Sequence, residues 1–248
     1  MMGIIEDIFR VALSDLYYLK RNILPLLATS MITPFLYLIA FGYGLGDGVT
    51  MGGVSYIAYM IPGVVALTTL TSSFTTISNK LMVQKRFYES FDEMMLCPIS
   101  KASIILGKAV LGVIKGMLCA FILLGIGMFM TDDLQITPLL ILMILLSCIV
   151  FALLGVAAGM IVSDIPRMNL FNSFVILPMT FLCGTMFSSD RLPFVIQQFI
   201  EALPLTQTSS LVRSCALGWD FPWLALVVLI GYGVLFYALA YWALRKSN

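Results

Sequence analysis

Six apolar blocks separated by short polar segments dominate the chain: Leu24–Leu45, Ser55–Ser78, Ile104–Met130, Ile136–Val162, Leu170–Phe187 and Phe221–Leu244. Each reaches or approaches the roughly 20 residues that a helix needs to cross bilayer hydrocarbon. Ahead of the first block, Ile4, Ile5, Ile8, Phe9, Ala12, Leu13 and Leu16 form an i, i+4 stripe, and Glu6, Asp7, Arg10, Ser14 and Asp15 fall largely off it. The pattern predicts an amphipathic helix over residues 2–22 lying in the membrane interface, either as an anchor or as a partner contact.

Two polar-to-apolar transitions are unusual. Residues 80–101 form the longest loop on the basic side, and within it Arg86, Phe87, Tyr88, Glu89, Phe91, Asp92, Glu93 and Met94 predict a short charged helix stopped near Pro98. A solvated face is one reading. The aromatic and Met content favours contact with lipid or with another protein. Between the fifth and sixth blocks, one stretch opens at Pro193 and stops at Pro204, and a second, Leu205–Leu217, ends at Gly218. Both are too short to span, so residues 189–217 predict a re-entrant or interfacial helical hairpin on the outer side. It should pack on spans 5 and 6, with Arg213 finding Asp190 or Glu201.

The second block carries Thr68, Thr69, Thr71, Ser72, Ser73, Thr75, Thr76 and Ser78. Hydroxyls in a span bond their own carbonyls and favour close helix contact, or they line a polar pathway. Both readings stand, and Thr69, Ser72, Thr76, Phe181 and Phe187 are the pathway candidates. Gly112-xxx-Gly116 and Gly155-xxx-Gly159 are small-residue pairs of the kind that lets helices approach. Lys115 lies within the third block, either snorkelling toward the interface or acting inside the protein.

Composition agrees with the pattern. Hydrophobic residues make up 60% and charged ones 11%, with mean hydropathy +1.02, far below the roughly one-quarter charged residues of soluble domains. Cytoplasmic termini put Arg10, Lys20, Arg21, Lys80, Lys85, Arg86, Lys101, Lys108, Arg167, Arg245 and Lys246 inside, leaving Arg191 and Arg213 outside. That distribution obeys the positive-inside rule, and its inverse does not. The absence of histidine removes the commonest general base and metal ligand. The five cysteines show no CxxC spacing, and Cys183 and Cys215 could pair on the outer side or stay free. No signal peptide is expected, since Glu6 and Asp7 stand where a basic region should be.

Two motif blocks resemble a known family. The first is Tyr59-Met60-Ile61-Pro62-Gly63, then Lys85 to Glu89, Leu96-Cys97-Pro98-Ile99-Ser100 and Gly107-Lys108. The second runs from Pro178 to Phe187, then Leu192-Pro193, Leu203-Pro204-Leu205-Thr206 and Leu211-Val212-Arg213. Together they resemble the membrane subunit of type-2 ABC exporters, in the style of nodulation-factor and antibiotic exporter permeases. The chain departs from the common pattern at Cys183, often Ser, and at Ser188-Ser189, where Pro is frequent. The resemblance implies one transmembrane domain over residues 1–248, all-α, with six spans. It also implies a connecting helix at the N-terminus, a cytoplasmic coupling helix at 86–97 and an outer re-entrant hairpin. Pro193, Pro204 and Arg213 would belong to an outer gate.

The family further implies a permease homodimer with two separate cytoplasmic ABC ATPase subunits, in the cytoplasmic (inner) membrane of a prokaryote. ATP and Mg are expected in the partner, with no cofactor or metal bound by this chain and no nucleic acid partner. The residues agree: no GxxxxGK[ST] occurs, and Gly107-Lys108 lacks both the preceding glycine and the following hydroxyl. The chain is therefore expected not to be an enzyme but to export an amphipathic or lipid-like substrate by partner-driven motion. An ion-gradient carrier or channel is the alternative, which would need ionisable groups near the midplane.

Overall fold

The computed structural model describes residues 2–43, 50–51, 53–86, 90–162, 164–182 and 194–246. Helix α1 (Met2–Arg21) is followed across Asn22 by α2 (Ile23–Tyr37), which continues as π-helical turns over Leu38–Tyr43. A two-residue antiparallel ladder, β1 (Thr50–Met51) with β2 (Val54–Ser55), then precedes α3 (Tyr56–Arg86). Next come α4 (Ser90–Leu96), α5 (Lys101–Met130) and α6 (Pro138–Ile161). A helical run follows as α7 (Ile165–Phe171), π-helical Asn172–Ile176 and α8 (Leu177–Leu182). The chain ends with α9 (Phe194–Ala202), α10 (Pro204–Leu217) and α11 (Trp223–Lys246).

Local chemistry sets the boundaries. Ser100 caps α5 by accepting from the Ser103 amide at 3.1 Å. Thr137 caps α6 by accepting from the Leu140 amide at 3.2 Å, with Pro138 as the first helical residue. Gly218, at φ 70°, takes the left-handed conformation that closes α10.

Among the described residues five helices are long and apolar enough to cross a membrane: Ile23–Gly42, Tyr56–Lys85, Lys101–Met130, Pro138–Ile161 and Trp223–Lys246. The block expected at Leu170–Phe187 differs. Its helix starts earlier, at Ile165, widens into π-helical turns and is described to Leu182. Pro178 offers no N–H to the carbonyl of Phe174, which lies in those wide turns. The β1–β2 ladder was also not anticipated by the apolar pattern.

Helix α3 is the centre of the bundle, almost wholly buried between α5 and α6 and covered by α10. Glycines on both flanking helices let it in. A Cβ on Gly112 would stand 2.9 Å from the Ser73 carbonyl oxygen, and one on Gly155 2.9 Å from that of Phe74. The hydroxyls of α3 largely serve the helix itself: Thr68 donates to the Val64 carbonyl at 2.7 Å, Thr69 to Ala66 at 2.7 Å and Thr76 to Ser72 at 2.6 Å.

Helix α1 lies against the start of α5, where a Cβ on Gly107 would stand 2.7 Å from the Val11 Cβ. The face it buries is not the stripe expected from the sequence. Val11, Ala12, Asp15 and Leu19 are buried, while Ile5, Phe9, Leu13 and Tyr17 are exposed. The helix has two apolar edges; the bundle takes one and leaves the other free for lipid.

The two ends of the bundle differ in charge. At one end Lys85 Nζ donates to the Met160 carbonyl at 3.1 Å, beside the last turn of α6, a favourable position for a cation. At the other, Ser55 Oγ donates to Asp133 at 3.5 Å, and the Gln135 amide reaches the Ala216 carbonyl at 2.9 Å.

The glycine packing yields a test. Gly155→Ala forces backbone apart and should destabilise the protein by about 1–3 kcal/mol. Gly231→Ala, where nothing lies within 4 Å, should be near neutral. Thermal unfolding of the two purified variants in one detergent separates them.

Candidate functional site

A cavity of about 1070 Å³ opens between α1, α2, α3 and α5. Hydroxyls and an amide are set into a mainly apolar wall: Thr29, Ser30 and Thr33 from α2, and Thr71, Ser72, Thr75, Thr76 and Asn79 from α3. Leu26, Pro34, Leu67 and Val83 supply apolar wall. Three charged side chains complete it, Asp15, Lys80 and Lys115. The i, i+4 spacing of the α3 hydroxyls puts them in one stripe facing α2.

Asp15 is the electrostatic hub. It is 1% exposed, with a carboxylate oxygen 2.8 Å from Lys80 Nζ and another 3.1 Å from Lys108 Nζ. Lys108 also donates to Gln84 Oε1 at 2.9 Å, and Lys80 lies 4.1 Å over the Tyr18 ring. The cluster joins α1, α3 and α5 in one charged knot, and a lone aspartate on an amphipathic helix gave no sign of it. The signal available in the sequence was that Asp15 sits one turn from Val11 and Leu19, on the edge that the bundle buries.

Lys115 does not reach out to the interface. It is 4% exposed and donates to Thr76 Oγ1 at 2.9 Å from within the cavity.

Of the expected pathway residues, Ser72 and Thr76 line this cavity. Thr69 is buried beside it with its hydroxyl on Ala66, and Phe181 is 55% exposed on α8, away from the lining. The cavity therefore lies within the single chain, between α1 and spans 1, 2 and 3.

In the expected docking segment, Phe91 is 1% exposed and holds α4 on the bundle, while Met94 packs partly on the core. Glu93 remains exposed, as does Leu96 beyond it. Phe87, Tyr88, Glu89, Phe187, Pro193, Cys183 and Asp190 lie outside the described residues, as do the side chains of Arg86 and Asp92.

Asp190, one of the two acids expected beside Arg213, lies outside the described residues. Arg213 Nε donates to the Tyr59 carbonyl at 3.3 Å, and its guanidinium lies 3.8 Å over the Tyr59 ring. Glu201 accepts from Gln197 at 3.0 Å. Pro204, the first residue of α10, is buried. Among the described residues α10 packs on α3, α6 and α11, the last being the sixth apolar block of the sequence. Near its other end, Tyr232 donates to the Ala202 carbonyl at 2.5 Å. Tyr232 is nine residues into α11, so the α9–α10 junction sits about 13 Å along that helix from Trp223.

Comparison with known proteins agrees on one family. Residues 17–217 match the ABC-2 type transporter family. The inner membrane transport permease YadH of Escherichia coli (strain K12) is 26% identical over 226 residues, 90% of this chain and 88% of that protein. Nodulation protein J of Rhizobium leguminosarum bv. trifolii is 29% identical over 205 residues, 80% and 77% of the two chains. Nodulation protein J of Bradyrhizobium diazoefficiens is 30% identical over 178 residues, 70% and 68% of the two.

The Asp15 knot makes a specific prediction. Asp15→Ala leaves buried Lys108 and half-buried Lys80 without their anion and should cost on the order of 3–5 kcal/mol. Hydrogen exchange of the α1 amides should rise sharply while those of α6 stay protected. Adding Lys108→Met should recover part of the loss.

Proposed function

Because this chain belongs to the ABC-2 type transporter family, we propose that it is the membrane-spanning permease of an ATP-driven exporter in a prokaryotic inner membrane. Similarity to an inner membrane transport permease supports that location. The observation that carries the transport reading is the cavity of about 1070 Å³, in which hydroxyls and charged groups are set into an apolar wall. Polar lining at that depth is costly in lipid and is retained where something polar must be accommodated.

In this reading the permease works as a homodimer with two cytoplasmic ABC ATPase subunits, which hold ATP and Mg. Six spans cross the bilayer with both termini cytoplasmic, the sixth being completed by the α7–α8 run. Residues 86–97 transmit the closure of the ATPases, and exposed Glu93 on α4 is a docking contact. The knot of Asp15, Lys80 and Lys108 ties α1 to spans 2 and 3, so that a push from below moves these helices together. An amphipathic or lipid-like substrate leaves outward as they tilt.

Residues 189–217 form a re-entrant outer hairpin that gates the exit. The depth of the α9–α10 junction beside Tyr232 supports this, as does the burial of α10. Arg213 latches the hairpin to span 2 through Tyr59. A carrier driven by a cation gradient would need an unpaired acid on the pathway. Asp15 is the acid that lines the cavity among the described residues, and two lysines hold it.

Two experiments bear on this. Glu93→Lys reverses a charge at the docking face, where like-charge juxtaposition costs on the order of several kcal/mol. Insertion should persist while export and substrate-stimulated ATPase activity of the reconstituted complex fall together; unchanged export would mean that α4 is solvated. Arg213→Ala should leave assembly intact and lower the substrate exported per ATP hydrolysed. A wild-type ratio would reduce the hairpin to a structural cover.

A further inference from the structure

Charge is unbalanced around the cavity. Three lysines, Lys80, Lys108 and Lys115, gather near one carboxylate, Asp15, and Asp15 is already shared by Lys80 and Lys108. Lys115 stands apart from that knot. Its ammonium is buried with the rest of the side chain and gives one hydrogen bond, to the Thr76 hydroxyl. Among the described residues no carboxylate lies within ion-pair distance of it. Thr76 in turn donates to its own helix, at the Ser72 carbonyl. An ammonium has three donors and no acceptor, and Lys115 lines the cavity with donors beyond the one given to Thr76.

A buried cation without an anion is unfavourable by several kcal/mol unless a counter-charge arrives. A neutral hydroxyl does not supply one. We propose that the cavity binds an amphiphile carrying a compact anionic headgroup, a phosphate or carboxylate, whose charge is met by Lys115. Asn79 and Lys80, on the same wall, are the neighbouring donors, and Leu26, Leu67 and Val83 offer the apolar surface that the tail covers. A headgroup with several acceptor oxygens suits three separated donors better than a single polar group does. The assignment deepens the export reading by naming the class of its substrate. It is tested by binding to the permease alone, so a failure here is distinct from a failure of ATP coupling.

The full chain in nanodiscs of zwitterionic lipid is titrated with lysophosphatidic acid, lysophosphatidylcholine and inorganic phosphate, with saturable thermal stabilisation as the readout. Lysophosphatidic acid should bind at least about tenfold more tightly than the other two, the scale of a charge-assisted contact. Lys115→Met should weaken it by at least about tenfold, and Lys115→Arg should retain it within about threefold. Thr33→Phe, which fills the cavity from α2 without touching a charge, should also abolish binding. Wild-type affinity in a well-folded Lys115→Met variant would overturn the site. Equal affinity for lysophosphatidylcholine would overturn the anionic headgroup. Equal affinity for inorganic phosphate would overturn the amphiphile and leave a free-anion site.

Discussion

Everything in this bundle depends on the close approach of α5 and α6 to α3. A helix carrying eight hydroxyls would be a poor choice for the centre of an apolar core if neighbouring side chains held it at ordinary distance. Gly112 and Gly155 bring the flanking backbones within van der Waals reach of Ser73 and Phe74, so the contact is made by backbone and small groups. Most of the hydroxyls, those of Thr68, Thr69 and Thr76 among them, then bond carbonyls of their own helix, which offsets much of their desolvation cost. Packing on two sides and self-satisfaction along the axis together allow α3 to be both buried and polar.

On its remaining side α3 faces α2, and there the packing is loose. Most of α2 is exposed, and the space between the two helices is the cavity. The same hydroxyl stripe therefore plays two physical roles. Where a glycine-lined helix presses on it, it is packing surface; where nothing does, it is the wall of a polar chamber. The charged knot at Asp15 lines the chamber and fixes α1 to α3 and α5, since removing Asp15 leaves Lys108 buried without its anion.

At the opposite end α10 is buried along most of its length and capped by Gly218. Arg213 gives it a directional tie to α3 through both the carbonyl and the ring of Tyr59. A single central helix is thus held to the knot at one end and to the hairpin at the other. Motion imposed on either end has a rigid path to the other, because α3 runs unbroken for 31 residues between them.

The long apolar blocks, the asymmetry of the cations and the proline-bounded pair Phe194–Ala202 and Pro204–Leu217 were legible in the sequence, because span length, loop charge and helix stops are local or compositional properties. Five of the six blocks form helices long and apolar enough to span, as those local rules imply. The family was legible too, through motifs contiguous in the chain. What the tertiary structure alone decided were the pairings across the bundle. Asp15 reads as a surface residue until α1 is laid on α5 at Gly107. Phe91 reads as a docking residue until α4 folds back on α3, and the tie between Arg213 and Tyr59 is invisible until α10 lies beside α3. Lys115 reads equally as a snorkelling side chain or a functional one until the chamber beside Thr76 is in view. In each case the deciding energy is desolvation, and desolvation depends on what covers a group. Residues distant in sequence provide that cover, so a one-dimensional pattern cannot carry it.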